Sequence, residues 1–402
     1  LKAQIAITGS KSETNRLLLL QALFPAISID NLSNSEDAQA MQRGVASSQG
    51  TVDIYHAGTA MRFLTAYYAT QPGVSVTLTG SERMQERPIG ILVDALRNLG
   101  AEISYTKNEG YPPLAIQGKE IARDRVQLNA GVSSQYISAL LLVGASLKNG
   151  LTLELEGKIT SVPYIKMTLR LLEKIGVKTK FEGQIIKVIP AGDVLPQTMV
   201  VESDWSSASY YYSLLALSDI GSEVLLTSYT PDSLQGDAVL SDIYSHLGVQ
   251  TTFKKDQLVL SKVGVPGDTI LEKGLVWDLS NAPDIAQTIA VSCFGLGVAC
   301  DMTGLHTLKI KETDRLVALE NELSKLGAGL HITEKSLHLA AFNGSVKAHV
   351  TIGTYHDHRM AMAFAPLALR LPIAIEDSGV VNKSYPDFWT DMKTIGIQVS
   401  PV

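Results

Sequence analysis

Hydrophobic and polar residues alternate along this chain in two kinds of helical stretch. The first kind is amphipathic and ends at a Leu/Ile-Gly signal followed by a strand-like run: DALRNLGAEI (94–103), LRLLEKIGVKT (169–179), IYSHLGVQT (243–251), ELSKLGAGL (322–330) and DMKTIGIQV (391–399). Glycine just past a helix can take positive φ and close its C-terminus, so each signal predicts helix, stop, strand. The glycines Gly100, Gly176, Gly248, Gly327 and Gly396 are spaced 76, 72, 79 and 69 residues apart, and a weaker sixth copy, EDAQAMQRGV, predicts a stop at Gly44. Leu316, Leu319, Leu323 and Leu326 recur at helical spacing, which predicts one buried stripe on a helix that is otherwise wet.

Ahead of each amphipathic helix lies a stretch that is small and apolar nearly all round. These are residues 15–23, 57–69, 133–145, 206–217, 283–296 and 358–369. An all-apolar helix in a soluble protein belongs in the interior. The order buried helix, strand, surface helix, glycine, strands therefore repeats six times. It predicts α/β units with helices at the core, grouped as two domains of three units.

Composition narrows the function. Among 402 residues, 34 Lys+Arg stand against 40 Asp+Glu, a net charge of −6, so broad adhesion to nucleic acid or to an anionic membrane is disfavoured. With 45% hydrophobic and 18% charged residues the chain is expected to be folded rather than disordered. The longest uncharged stretch, Ile285 to Cys300, spans 16 residues and is too short and too polar for a membrane span. Cys293 and Cys300 are the only cysteines, so neither a disulfide framework nor a four-ligand zinc site is available and a reducing compartment fits. Residues 1–20 do not read as a signal peptide.

Polar groups cluster where the buried helices begin: Lys11, Ser12 and Arg16; Gly58, Thr59 and Arg62; Ser133, Ser134 and Gln135; Asp204, Ser206 and Ser207; Asp284; Asp357, His358 and Arg359. Ser, Thr and Asp are ordinary N-caps. Lys and Arg are not, because the helix dipole repels them there. With Arg87, Lys311, Arg315 and Lys383 they form a cationic set suited to a small polyanion carrying phosphate and carboxylate. Gly9-Ser10-Lys11-Ser12 is not a P-loop, and GLGVAC (295–300) fails the dinucleotide pattern. His356-Asp357-His358 lacks the further ligands a metal would need. What remains is acid-base chemistry by Asp284, Glu312, His358 and a few lysines. Two plainer readings stay open: Asp284 as a helix N-cap, and Glu312 as the ion-pair partner of Lys311 and Arg315, one helical turn apart.

Ten collinear motifs carry a resemblance. GSKSETNRLLLLQAL, HAGTAMRFL, RMQERPIGILVDALRNLGA, SSQYISALLL, TSVPYIKMTL, SDWSSASYYY, PDIAQTIA, KETDRL, DHRMAM and KSYPDF resemble, in family order, those of the 5-enolpyruvylshikimate-3-phosphate (EPSP) synthases. The resemblance implies a two-domain enolpyruvyl transferase fold of the α/β class, each domain three βαβαββ units with buried central helices. It implies one domain at 10–202 and another at 1–9 plus 203–402, with the active site in the cleft between them and closure on substrate. It further implies transfer of the enolpyruvyl group of phosphoenolpyruvate to the 5-hydroxyl of shikimate 3-phosphate, in aromatic amino acid biosynthesis, by a cytoplasmic monomer without metal or organic cofactor.

Carried over position by position, Lys11, Ser12, Arg16, Ser133, Ser134, Gln135, Ser161, Asp284 and Lys311 would hold shikimate 3-phosphate. Lys11, Gly58, Arg87, Gln135, Arg315, Arg359 and Lys383 would hold phosphoenolpyruvate. Asp284 would take the proton of the 5-hydroxyl and Glu312 would protonate C3, with Lys11, His358 and Lys383 stabilising charge or moving protons. The family's inhibitor glyphosate would share the phosphoenolpyruvate site. Four positions depart from the family pattern: His56 for Asn, Phe63 for Pro, Trp205 for a small residue and Thr307 for Asn.

Two alternatives are the sister transferase acting on UDP-N-acetylglucosamine and a non-catalytic anion-binding protein. The first normally carries a reactive Cys in the loop matching GSERMQERPIG, where this chain has none. The second has no use for Asp284 and Glu312, since an anion receptor gains by losing carboxylates.

Overall fold

The structure is a computed structural model describing all residues except 130, 132, 158, 160, 345, 348 and 402. The chain divides into two compact units, Leu1–Thr8 with Glu202–Val402, and Gly9–Val201. Among the described residues no helix is long and apolar enough to cross a membrane.

In the Gly9–Val201 unit the helices Lys11–Leu23, Gly58–Ala69 and Ser134–Gly144 pack on one another. Trp205–Leu217, Ala286–Leu296 and His358–Phe364 do the same in the other unit. These are the six apolar stretches, and their cores are almost entirely buried. Some of their polar side chains bond across the helices: Ser209 Oγ lies 3.1 Å from Thr288 Oγ1, and Ser292 donates to Ser213 Oγ at 2.8 Å. Buried hydroxyls without such partners would cost stability.

Sheets and amphipathic helices surround these cores. In one sheet Gln49–Asp53 runs parallel to Ser75–Thr79, and the hairpin strands Glu102–Tyr105 and Leu114–Gln117 add antiparallel. Val76 opposite Ile116 and Leu78 opposite Leu114 turn inward, the strand period of two burying one face. Three further four-stranded sheets repeat this order. The remaining unit of each trio has a two-stranded parallel sheet, Ile27–Asp30 with Gln197–Val200 and Val350–Ile352 with Ile373–Ile375. Among the described residues the sixfold repeat is thus complete in four units and shortened in two. In the first of these the chain passes from the helix Glu36–Val45 to the next sheet at Gln49, leaving no room for a hairpin.

Gly100, Gly176, Gly248, Gly327 and Gly396 all take positive φ at their helix ends, as the sequence predicts, and a strand follows each except Gly396, after which residues 397–401 are irregular. Gly44 does not. It lies inside Glu36–Val45, where a Cβ would overlap Leu64, and its carbonyl accepts a bond from the Tyr68 hydroxyl at 2.5 Å. The expected stop is a close helix approach instead. Leu316, Leu319, Leu323 and Leu326 are buried as one stripe. Lys311 and Glu312, however, precede the helix Arg315–Lys325, which starts after Asp314 caps it by accepting from the Leu316 and Val317 amides. The expected helical turn from Lys311 to Arg315 is a loop.

Candidate active site

In the Gly9–Val201 unit Lys11 opens a helix at the end that repels cations, and Asp37 offsets the charge at 3.1 Å. The carbonyl of Ser12 accepts from Arg16 Nη1 at 2.7 Å. Arg16 itself is 2% exposed. Its Nε donates to Thr168 Oγ1 at 2.8 Å, while Nη2 donates to Ser138 Oγ at 3.0 Å and to the Tyr164 carbonyl at 3.4 Å. Burial lowers its pKa to about 10, with Tyr164 and Glu13 opposing. Phe63, the departure from Pro, lies beneath this guanidinium, 5.4 Å from ring centroid to Cζ. The departure is therefore a support for Arg16 within an unbroken helix.

A second group forms at Gly58. A Cβ there would stand 2.7 Å from Arg87 Nη1, so the absence of a side chain is what lets the guanidinium lie on the helix end. The carbonyl of Pro88 accepts from Arg62 Nη2 at 3.1 Å and from the Tyr136 hydroxyl at 2.6 Å, which anchors the loop bearing Arg87. Arg87 makes no ion pair among the described residues. Gln135 Nε2 donates to Thr59 Oγ1 at 3.1 Å, which joins Gln135 to the Gly58 end. His56 Nδ1 is 2.7 Å from Ser81 Oγ, a further tie to the same loop. Ser133 caps its helix by accepting from the Gln135 amide, Ser134 is buried, and Ser161 holds a left-handed turn before Val162–Lys174. Tyr136 and Arg62 are anchors that the candidate set omits; Arg62 is visible in the sequence only as a cation at a helix start.

The other unit gathers its candidates around one buried guanidinium. Arg315 Nη1 donates to Asp284 Oδ1 at 2.8 Å, Nη2 to Glu312 Oε2 at 2.7 Å, and Nε to Asp357 Oδ2 at 2.6 Å. Lys311 Nζ adds to Asp284 at 3.2 Å, and Lys383 Nζ to Glu312 Oε1 at 2.8 Å. Arg359 reaches the Asp284 carbonyl at 3.2 Å and its carboxylate at 3.5 Å. Asp284, on the turn Pro283–Ile285, caps no helix, so of its two readings the N-cap is excluded. Asp204 and Asp357 do cap, accepting from the Ser207 and Arg359 amides. His358 is buried, its Nδ1 3.6 Å from Asp357.

Electrostatics follow from this crowding. Burial alone would raise the pKa of Asp284, but Lys311, Arg359 and Arg315 outweigh it and hold the carboxyl far below the usual range. Burial likewise opposes the charge on Arg315, and Asp357, Glu312 and Asp284 more than restore it. Asp237 is not among the residues that the sequence singles out. It bonds to Ser206 Oγ, which also accepts from Arg359 Nη2 at 3.2 Å, and burial pushes its pKa up to about 6 against the pull of Arg359. Nothing in the sequence flags it, because Ser206 lies 31 residues away. Trp205 is buried edge-on against Tyr229, and Thr307 Oγ1 is buried with no hydrogen-bond partner among the described residues. Among the described residues no group of three or more His, Cys, Asp or Glu could hold a metal ion.

Comparison with known proteins adds an independent line. Residues 42–392 match the family model described as EPSP synthase (3-phosphoshikimate 1-carboxyvinyltransferase). A 3-phosphoshikimate 1-carboxyvinyltransferase of Bacteroides fragilis is 46% identical, covering 99% of this chain and 96% of its own length. One from Vibrio atlanticus is 34% identical over 98% and 97%. The solved EPSP synthase of Acinetobacter baumannii superposes with a TM-score of 0.76 at 22% identity, covering 100% of this chain and 97% of that one, so the fold is shared.

Proposed function

The chain belongs to the EPSP synthase family, and from that premise we propose how its own residues carry the reaction. The reaction is transfer of the enolpyruvyl group of phosphoenolpyruvate to the 5-hydroxyl of shikimate 3-phosphate, with release of phosphate, in aromatic amino acid biosynthesis. The protein is a transferase. The sister activity on UDP-N-acetylglucosamine is not favoured.

In our reading Lys11, Ser12, Ser133, Ser134, Gln135, Ser161, Asp284 and Lys311 hold shikimate 3-phosphate. Arg16 joins them through Nη2, whose contact to the Tyr164 carbonyl at 3.4 Å is the longest of its four. Lys11, Gly58, Arg87, Gln135, Arg315, Arg359 and Lys383 hold phosphoenolpyruvate. Asp284 removes the 5-hydroxyl proton as that oxygen attacks C2, and Glu312 delivers a proton to C3, making a methyl group. The tetrahedral intermediate then expels phosphate as the methyl group returns a proton, and the vinyl double bond re-forms. Lys11, His358 and Lys383 stabilise charge or move protons in these steps. We assign a monomer, since every residue in this reading comes from one chain. Its two buried free thiols suit a reducing cytoplasm.

One observation carries the acid-base assignment: Asp284 and Glu312 are both bonded to Arg315, and each has a lysine of its own. While the carboxylates occupy these cations, Asp284 is a weak base. Substrate phosphate and carboxylate groups compete for the same cations, so binding of the anions loosens their hold on Asp284 and Glu312 and frees both for proton transfer. The test is Glu312→Gln with phosphate release as readout. Turnover is expected to fall on the order of 10²-fold or more with binding of shikimate 3-phosphate retained. Near-normal turnover would make Glu312 an ion-pair residue only.

A further inference from the structure

Glu322 is completely buried on the otherwise leucine-lined face of the helix Arg315–Lys325. Its Oε2 accepts from Lys325 Nζ at 2.6 Å and from the Gly353 amide at 2.9 Å, and its Oε1 accepts from the Tyr355 hydroxyl at 2.7 Å. An apolar side chain would suit this stripe at lower cost, since a buried carboxylate is tolerated only when its lone pairs are met. Here they are met by Lys325 on the same helix and by the turn between the strand Val350–Ile352 and the helix His358–Phe364.

That turn is strained. Tyr355 and His356 are consecutive non-glycine residues at φ of +55° and +56°. Left-handed backbone is costly for a residue with a Cβ, and two in a row persist only where surrounding contacts hold them. The helix Arg315–Lys325 supplies those contacts at both ends of the turn. Glu322 holds Gly353 and Tyr355, and Arg315, seven residues earlier and so two helical turns away on the same face, holds Asp357 at 2.6 Å. Asp357 in turn accepts from the Arg359 amide at 2.9 Å.

From this geometry we infer that Glu322 is a positioning residue for phosphoenolpyruvate: through the 353–357 turn it sets where Arg359 is presented. It touches neither substrate nor reacting atoms. The inference rests on the assignment of Arg359 to phosphoenolpyruvate made above.

The experiment is a double-mutant cycle on the full chain, with steady-state constants for each substrate. Glu322→Ala raises KM for phosphoenolpyruvate about ten-fold or more while kcat and KM for shikimate 3-phosphate stay within about three-fold, and Glu322→Gln falls between it and wild type. Tyr355→Phe, at a half-exposed ring, moves the same constant by a smaller factor and carries the test if Glu322→Ala does not fold. In an Arg359→Lys background the effect of Glu322→Ala, or of Tyr355→Phe, on KM for phosphoenolpyruvate disappears, because both act through the same side chain. An unchanged constant in the single variants, a proportional loss in all constants, or additivity with Arg359→Lys overturns the inference while leaving the role of Arg359 intact. An Arg359→Lys enzyme with unaltered KM for phosphoenolpyruvate overturns that role, and the inference with it.

Discussion

Arg315 Nη1 donates to Asp284 Oδ1 at 2.8 Å across 31 residues of chain, while Nε of the same guanidinium reaches Asp357, 42 residues away. One planar cation thus joins the proposed base, the proposed acid and a helix cap, because its donors point in fixed directions that three carboxylates can meet together. Charge at this point is balanced between side chains until an anionic ligand competes for it.

The first consequence concerns pH. Asp284 has a pKa depressed in the folded state, so its ion pairs contribute stability that is full above the unfolded carboxyl value of about 4 and is lost as pH falls below it. Replacing Asp284 with Asn is expected to lower Tm at pH 7, where it leaves Lys311, Arg315 and Arg359 short of a counter-charge. The difference from wild type should shrink below about pH 4. Thermal melts across that range check it, and a constant difference would contradict the paired assignment. Turnover of the same variant should fall on the order of 10²-fold or more.

Gly58→Ala places a methyl group 2.7 Å from Arg87 Nη1. The guanidinium can swing away, so the fold should survive. Its alignment should not, and KM for phosphoenolpyruvate and the inhibition constant for glyphosate should rise together, each by about ten-fold. Unchanged values for both would place Gly58 outside the site.

Gly44→Ala sets two effects against each other. Alanine gains about 1 kcal/mol of helix propensity over glycine, but its Cβ overlaps Leu64, and overpacking a full core costs about 1–3 kcal/mol. Leu64 is wholly buried and has little room to yield, so net destabilisation of about 1 kcal/mol is expected from denaturant midpoints.

Lys262 is a buried amine that donates to the carbonyls of Ala216 at 2.8 Å and Leu247 at 3.0 Å. Burial, helped by Arg370, lowers its pKa to about 8. The unfolded chain binds this proton more tightly, so the charge penalty is full below about pH 8 and is relieved as pH rises toward about 10.4, the unfolded value. Wild type should therefore gain Tm relative to Lys262→Met over that interval. Parallel melting curves of the two proteins would show that the amine is not a desolvated charge.

Local order alone determined a large part of this protein. The six apolar helices, the five left-handed glycine stops and the Leu316–Leu326 stripe follow from periodicities of 3.6 and 2 and from glycine's freedom at positive φ, and these are properties of neighbouring residues. Ten motifs in order were enough to reach the family. Tertiary packing decided the rest. Lys11 and Arg16 read alike in the sequence, yet one pairs with Asp37 and the other is enclosed by Thr168, Ser138 and Phe63. Gly44 reads as a stop and is a contact with Leu64, Asp237 carries no signal at all, and Glu322 reads as one more polar position on an amphipathic helix. In each case the deciding partner lies 20 or more residues away. Burial and charge pairing depend on which distant side chains the fold brings within about 3 Å, and no local pattern encodes that distance.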